Sequence, residues 1–134
     1  MEDTILRRTW AEIDLDALAH NYQTLRRRTG TRFVGVVKAD AYGHGSVQVS
    51  RVLEELGADY LAVSSLDEAM ELRAGGIHMP ILILGHTPPE RVEELLRYHI
   101  TQTVTCEAKA LEYSAEAVRC GGTLKVHIKV ETGM

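Results

Sequence analysis

Residues 124–130 read Leu-Lys-Val-His-Ile-Lys-Val, and this alternation decides the fold. Leu124, Val126, Ile128 and Val130 fall on one side of an extended chain, and Lys125, His127 and Lys129 fall on the other. A strand held between two helical layers would be apolar on both sides. One apolar face and one polar face instead suit a sheet with helices on a single side. Among parallel sheets, that condition belongs to the barrel, whose strands turn one face to the helices and the other to the interior.

The rest of the chain supplies the parallel sheet. Asp14 can cap a helix with the apolar face Leu15, Leu18, Ala19, Tyr22 and Leu25, stopped by Gly30. "RFVGVVK" (32–38) reads as a strand, followed by a helix on Val49, Val52, Leu53 and Leu56 that stops at Gly57. "YLAVSS" (60–65) is the second strand. Ser65 and Glu68 have capping-box spacing for a helix that ends at Gly75 and Gly76. "PILILG" (80–85) is the third strand. Thr87 and Glu90 repeat the capping-box spacing, with Pro88 at the first helical position and Val92, Leu95 and Leu96 on the buried face. "TQTVT" (101–105) reads as a fourth, weaker strand, residues 107–118 as a helix, and residues 123–130 as the fifth strand. Strands alternating with helices imply a parallel sheet with right-handed crossovers. The length of 134 residues favours an open sheet, because a full barrel takes about 250 residues. The side-chain pattern favours a barrel, of which about five βα units of eight are present.

Composition excludes several classes. The chain is 45% hydrophobic and 25% charged with a net charge of −4, ordinary for a globular protein. Arg26, Arg27 and Arg28 form the only dense basic cluster and read as a solvated helix terminus, so nothing suggests nucleic acid. No apolar run is long enough to span a membrane and no signal peptide is evident, so a cytoplasmic protein is expected. Cys106 and Cys120 are too few and too isolated for a disulfide framework or a zinc site, and the histidines have no metal-ligand spacing. His127 faces inward and can join a buried network with Lys125; His20 reads as a surface residue, and His78, His86 and His99 fall in or beside loops.

Two lysines, Lys38 and Lys129, end strands where barrel enzymes keep their chemistry. Period-two geometry places Lys38 on the face of Val34 and Val36. A strand-terminal lysine usually just extends its amine into water. A desolvated lysine instead favours its neutral form and attacks aldehydes, which points to a Schiff base with pyridoxal phosphate. Tyr42 can offer a hydroxyl to the phosphate, and the backbone of Gly43-His44-Gly45 can approach it closely.

"VVKADAYGHG" (36–45) resembles the pyridoxal-phosphate motif of alanine racemases. "TWAEIDLDAL" (9–18) resembles the segment that opens the same family. "HIKVETGM" (127–134) resembles a later segment, written in the family with Asp where Glu131 stands here. The three occur in the family's order and at its spacing, so the resemblance covers the whole chain. It implies that Lys38 is the Schiff-base lysine and one of two catalytic bases, that Tyr42 hydrogen-bonds the cofactor phosphate, and that Leu84 lines the substrate pocket. It also implies that Lys129 is the lysine often carbamylated to orient an arginine. The substrate implied is alanine, and the complete enzyme is expected to be a homodimer whose second base is a tyrosine of the partner's C-terminal domain.

By the same resemblance, residues 1–134 are the N-terminal part of the (β/α)8 barrel. The rest of the barrel and a second, β domain are absent. Tyr22, Tyr60, Tyr98 and Tyr113 read as core or helix-surface residues, so no tyrosine here replaces the missing base. The expectation is an N-terminal portion of an alanine racemase, inactive alone. Two alternatives are a non-catalytic pyridoxal-phosphate-binding protein and an interaction fragment that associates with the full-length racemase. An incomplete barrel also leaves open edges and uncovered faces, which favour association.

Overall fold

The computed structural model describes residues 9–133. Five strands, β1 (Val34–Val36), β2 (Tyr60–Val63), β3 (Ile81–Ile83), β4 (Ile100–Val104) and β5 (Val126–Ile128), lie side by side in chain order. Every neighbouring pair is parallel. Helix α1 (Leu15–Thr29) precedes β1. The short turn α2 (Lys38–Gly43) and α3 (Ser46–Glu55) join β1 to β2, and α4 (Leu66–Ala74) joins β2 to β3. A 3-10 turn (Pro89–Arg91) and α5 (Val92–Arg97) lead to β4, and α6 (Glu107–Arg119) leads to β5. A doubly wound sheet reverses its strand order part-way, which sends helices to both faces. An unreversed order with crossovers of one hand sends every helix to the same face. The chain is therefore α/β, with a singly wound sheet of the barrel kind.

The core fills the space between that face and the helices. Leu61, Val63, Ile81 and Ile83 are fully buried, and they pack in one cluster with Leu53, Leu72, Val92 and Leu95 from the helices. Gly35 in β1 belongs to this face, because a Cβ there would lie 2.5 Å from Leu53 Cδ1. On the other face, Val34 and Val36 are 47% and 41% exposed. The two faces thus alternate as the period-two reading requires, but the face of Val36 is open at β1 and closed from β2 to β4, since Ala62, Leu82 and Thr101 on the same face are buried.

Local signals behave as their chemistry dictates in most places. Asp14 accepts the Ala17 N–H at 2.9 Å to start α1, and Gly30, at φ 62°, ends it by donating to Arg26 O. Three expectations need correction. Thr87 does not cap a helix: its buried hydroxyl donates to Gln102 Oε1 at 2.7 Å, and the 3-10 turn begins after Pro88 with Pro89 first. The fourth strand is not weak: β4 is the longest strand and is buried throughout, because both its faces meet neighbours. Arg26 is not simply solvated, since it reaches Asp59 Oδ2 at 2.7 Å and Tyr22 OH at 3.0 Å, while Asp59 also accepts the Phe33 N–H. This cluster ties the end of α1 to the segment before β1 and to the start of β2.

Beside β4, β5 is exposed along its length. Ile128 is 80% exposed and Val130 73% exposed, although both belong to the apolar, helix-facing side. His127 is likewise exposed and forms no buried network with Lys125; its ring lies 5.5 Å from that of Tyr60. The reason is geometric. Within residues 9–133 no further strand or helix lies beyond β5 to cover either of its faces.

The hydroxyl of Ser50 on α3 is buried without a hydrogen-bond partner. Replacing an unpartnered buried hydroxyl with a methyl group removes a desolvation cost of about 1 kcal/mol or more. Ser50→Ala is expected to raise the urea midpoint of unfolding, with no change in its slope.

Candidate active site

Parallel strands bring all their C-terminal ends to one rim. The ladder continues just past each strand end. Val37 N donates to Ala62 O at 2.9 Å, Leu84 N to Val63 O at 2.8 Å, and Lys129 N to Val104 O at 2.9 Å. Lys38, Leu84 and Lys129 consequently follow β1, β3 and β5 on the same rim. Lys38 and Lys129 stand at the two opposite edges of the sheet. Lys38 is half-buried, whereas Leu84 is 40% exposed and Lys129 and Tyr42 are open to solvent.

The backbone at Lys38 is unusual. β1 stops at Val36, and Val37 already leaves the extended region at φ −120° and ψ 19°. Strict alternation therefore ends before Lys38, which opens a turn rather than closing a strand. Ala39, Asp40, Ala41 and Tyr42 then adopt left-handed helical angles in succession, with φ of 51°, 54°, 51° and 58°. For L-residues this costs about 1–2 kcal/mol each, so on the order of 4–8 kcal/mol is stored in one turn.

Specific bonds hold that strain. Ala41 N donates to Val37 O at 2.9 Å, and the Ala41 side chain is buried in the core. Gly45 N donates to Asp40 O at 3.0 Å, and Asp40 Oδ1 accepts the Ser46 N–H at 2.7 Å, satisfying the first turn of α3. His44 N donates to Ala41 O at 3.2 Å, and its ring Nδ1 lies 2.8 Å from the same oxygen. On the other side of the turn, Glu68 Oε1 accepts the Ala39 N–H at 2.9 Å.

Sequence reasoning singled out Lys38, Tyr42, Leu84 and Lys129 at this rim and did not single out Glu68 or Asp40, whose side chains hold the turn. Glu68 was visible only as half of a capping box. Ser65 does accept the Glu68 N–H at 3.3 Å, but the carboxylate does not return to Ser65 N. It bonds Ser64 and Ala39 instead. No signal in Ala-Asp-Ala-Tyr marks a left-handed turn, since none of these residues is glycine.

The backbone amides of this stretch serve the turn itself. The His44 and Gly45 amides are already spent inside the turn, and so is that of Ser46. A Cβ on Gly43 would meet nothing within 4 Å, whereas one on Gly45 would lie 3.0 Å from Gln48 Oε1. Gly43 and Gly45 are glycine because φ is 85° and 90°. What does suit pyridoxal phosphate is the Lys38 amine, which is half-buried at the rim and pairs with no carboxylate among the described residues. The exposed Tyr42 hydroxyl lies four residues further on. Among the described residues, no group of three His, Cys, Asp or Glu is placed to hold a metal.

Comparison with known proteins gives this geometry its family. The family model described as the alanine racemase N-terminal domain matches residues 13–134. The chain belongs to the alanine racemase family. An alanine racemase of Desulfovibrio desulfuricans is 48% identical over 130 residues, covering 96% of this chain and 35% of the relative. One from Desulfosudis oleivorans is 50% identical over 127 residues, covering 93% of this chain and 33% of the relative. The solved alanine racemase of Clostridium difficile superposes with a TM-score of 0.90 at 42% identity, covering 97% of this chain and 35% of that one. The chain thus spans about a third of the length of these alanine racemases, and its five strands match part of their barrel.

Asp40 offers a direct check on the turn. Asp40→Ala removes the acceptor for the Ser46 N–H and is expected to cost about 1–2 kcal/mol of stability. Urea unfolding measures this, and an unchanged midpoint would show that the turn stands without its side-chain cap.

Proposed function

We propose that this chain is the N-terminal portion of an alanine racemase, interconverting L- and D-alanine with pyridoxal phosphate held on Lys38. The observation that carries the reading is the half-buried, unpaired lysine at the β1 rim, immediately before a strained turn that presents Tyr42. Lys38 Nζ would condense with the cofactor's aldehyde carbon and release water. The Tyr42 hydroxyl would donate to the phosphate, Leu84 would line the space above β3, and Lys129 would carry the carbamate. When bound, the cofactor supplies an electron sink for the charge left at the α-carbon as its proton departs.

The residues of the chain divide the proton chemistry unevenly. Racemisation needs one base on each side of the α-carbon. Lys38 provides an amine for one side. Tyr22 and Tyr113 are buried among the helices, Tyr98 lies beside α5, and Tyr60 begins β2 at the end away from the rim. None of them faces Lys38 across the mouth of the sheet. The second base is therefore assigned to the rest of the enzyme and its homodimeric partner.

We also assign the uncovered face of β5 to the rest of the barrel. Together with α6 it forms a groove of about 500 Å³ lined by residues such as Ala117, Val118, Leu124, Val126 and Ile128. Val118 is 74% exposed, and so large an apolar strip on a soluble surface favours association.

Titration of the purified chain with pyridoxal phosphate tests the Lys38 assignment. A saturable visible absorption band is expected in the native chain and not in Lys38→Ala. Racemisation of alanine by the same sample is expected to be absent. An equal band in both proteins would reject Lys38 as the cofactor lysine. Sedimentation tests the groove: the chain is expected to associate as concentration rises, and Ile128→Lys with Val130→Lys to return it to the monomer.

A further inference from the structure

Lys38 is held by its neighbours rather than by its own side chain. On its N-terminal side, Val37 is fixed by the β1–β2 ladder through the bond to Ala62 O. On its C-terminal side, the first backbone group is the Ala39 N–H, which belongs to a left-handed residue and points out of the turn. Its partner is not within the turn. It is Glu68 Oε1 at 2.9 Å, on α4, 29 residues further along the chain. The second oxygen of the same carboxylate accepts the Ser64 N–H at 2.7 Å and the Ser64 hydroxyl at 2.7 Å. One carboxylate thus bridges the loop after β1 and the loop after β2, at the rim where both strands end.

We propose that Glu68 is the positioning residue for Lys38, its carboxylate clamping the Ala39 amide to the β2–α4 loop and thereby fixing the direction in which Lys38 leaves β1. Three donors converge on this carboxylate, and a neutral side chain of the same shape cannot accept all three, because one of its two terminal atoms becomes a donor. Partial burial works against the charged form. The bonds from Ser64 Oγ and from the Ala39 and Ser64 amides outweigh it, and the Glu68 pKa lies below its ordinary value. A carboxylate whose folded pKa is depressed is fully effective above its unfolded pKa and fails as pH falls through its folded one. The clamp is therefore closed at neutral pH and opens only below the ordinary range for glutamate.

The consequence for cofactor capture rests on Lys38 being the cofactor lysine; the clamp itself does not. Amide hydrogen exchange by NMR on the 134-residue chain keeps the two apart. In Glu68→Ala, the protection of the Ala39 and Ser64 amides is expected to fall roughly tenfold or more, the scale of losing a bond to a charged acceptor. Protection of Leu72 on α4 and Ile83 in β3 is expected to stay, which separates loss of the clamp from loss of the fold. Glu68→Gln, which keeps one acceptor oxygen, is expected to fall between the two. The native Ala39 protection is expected to drop as pH passes below the usual glutamate range, while that of Glu68→Gln stays flat. Native protection of Ala39 in Glu68→Ala overturns the clamp, whatever the cofactor experiment gives. Where the native chain shows its Lys38-dependent band, half-saturation in Glu68→Ala is expected to need roughly tenfold more pyridoxal phosphate. Equal half-saturation there would overturn the positioning role, and absence of the band from the native chain would reject the Lys38 reading alone.

Discussion

The parallel register running unbroken from β1 to β5 is the constraint on which the rest depends. Each strand passes its hydrogen bonds to the next without reversal, so every crossover must leave from the same rim and return on the same side. That one condition puts all the helices on one face, leaves the other free of them, and gathers the residues after the strands at a single mouth. Lys38, Leu84 and Lys129 share a rim because of topology; no contact between their side chains is needed to bring them there.

At that mouth, rigidity is bought locally with strain. Four left-handed residues without a glycine among them would not persist in an isolated peptide. They persist here because bonds from several directions over-determine the turn: Val37 O from β1, Asp40 with the start of α3, and Glu68 from α4. The buried Ala41 side chain adds a packing contact that a flexible loop would lack. Lys38 leaves the chain at this base, and a side chain with four rotatable bonds is only as well aimed as the backbone it leaves.

The buried side and the exposed edge obey the same physics with opposite results. Between sheet and helices, Leu61, Val63, Ile81 and Ile83 meet partners on all sides and are fully buried. Most polar members there are satisfied, the Ser50 hydroxyl excepted: Gln102 bonds Thr87, Gly85 O and Thr103 O, and Tyr113 donates to Thr87 O. At β5 the same apolar alternation finds no partner within the described residues, so Val126, Ile128 and Val130 face solvent. The chain matches about a third of the length of its relatives, whose barrels superpose on these five strands.

The sequence by itself determined the elements and their faces. Period-two alternation at 124–130, helical periodicity around Leu53, and Asp14 with Gly30 at the ends of α1 are local patterns, and local sterics and solvation suffice to read them. Local reading went astray where a side chain had two competing partners. Thr87 and Glu68 both had capping geometry in sequence, yet Thr87 turned to Gln102 and Glu68 to Ala39, residues 15 and 29 positions away. Only the tertiary structure decided the left-handed turn after Lys38 and the bridge that holds it. Each of these depends on which distant group occupies the neighbouring space, and a hydrogen bond or a buried contact across that space outweighs a local preference of about 1 kcal/mol.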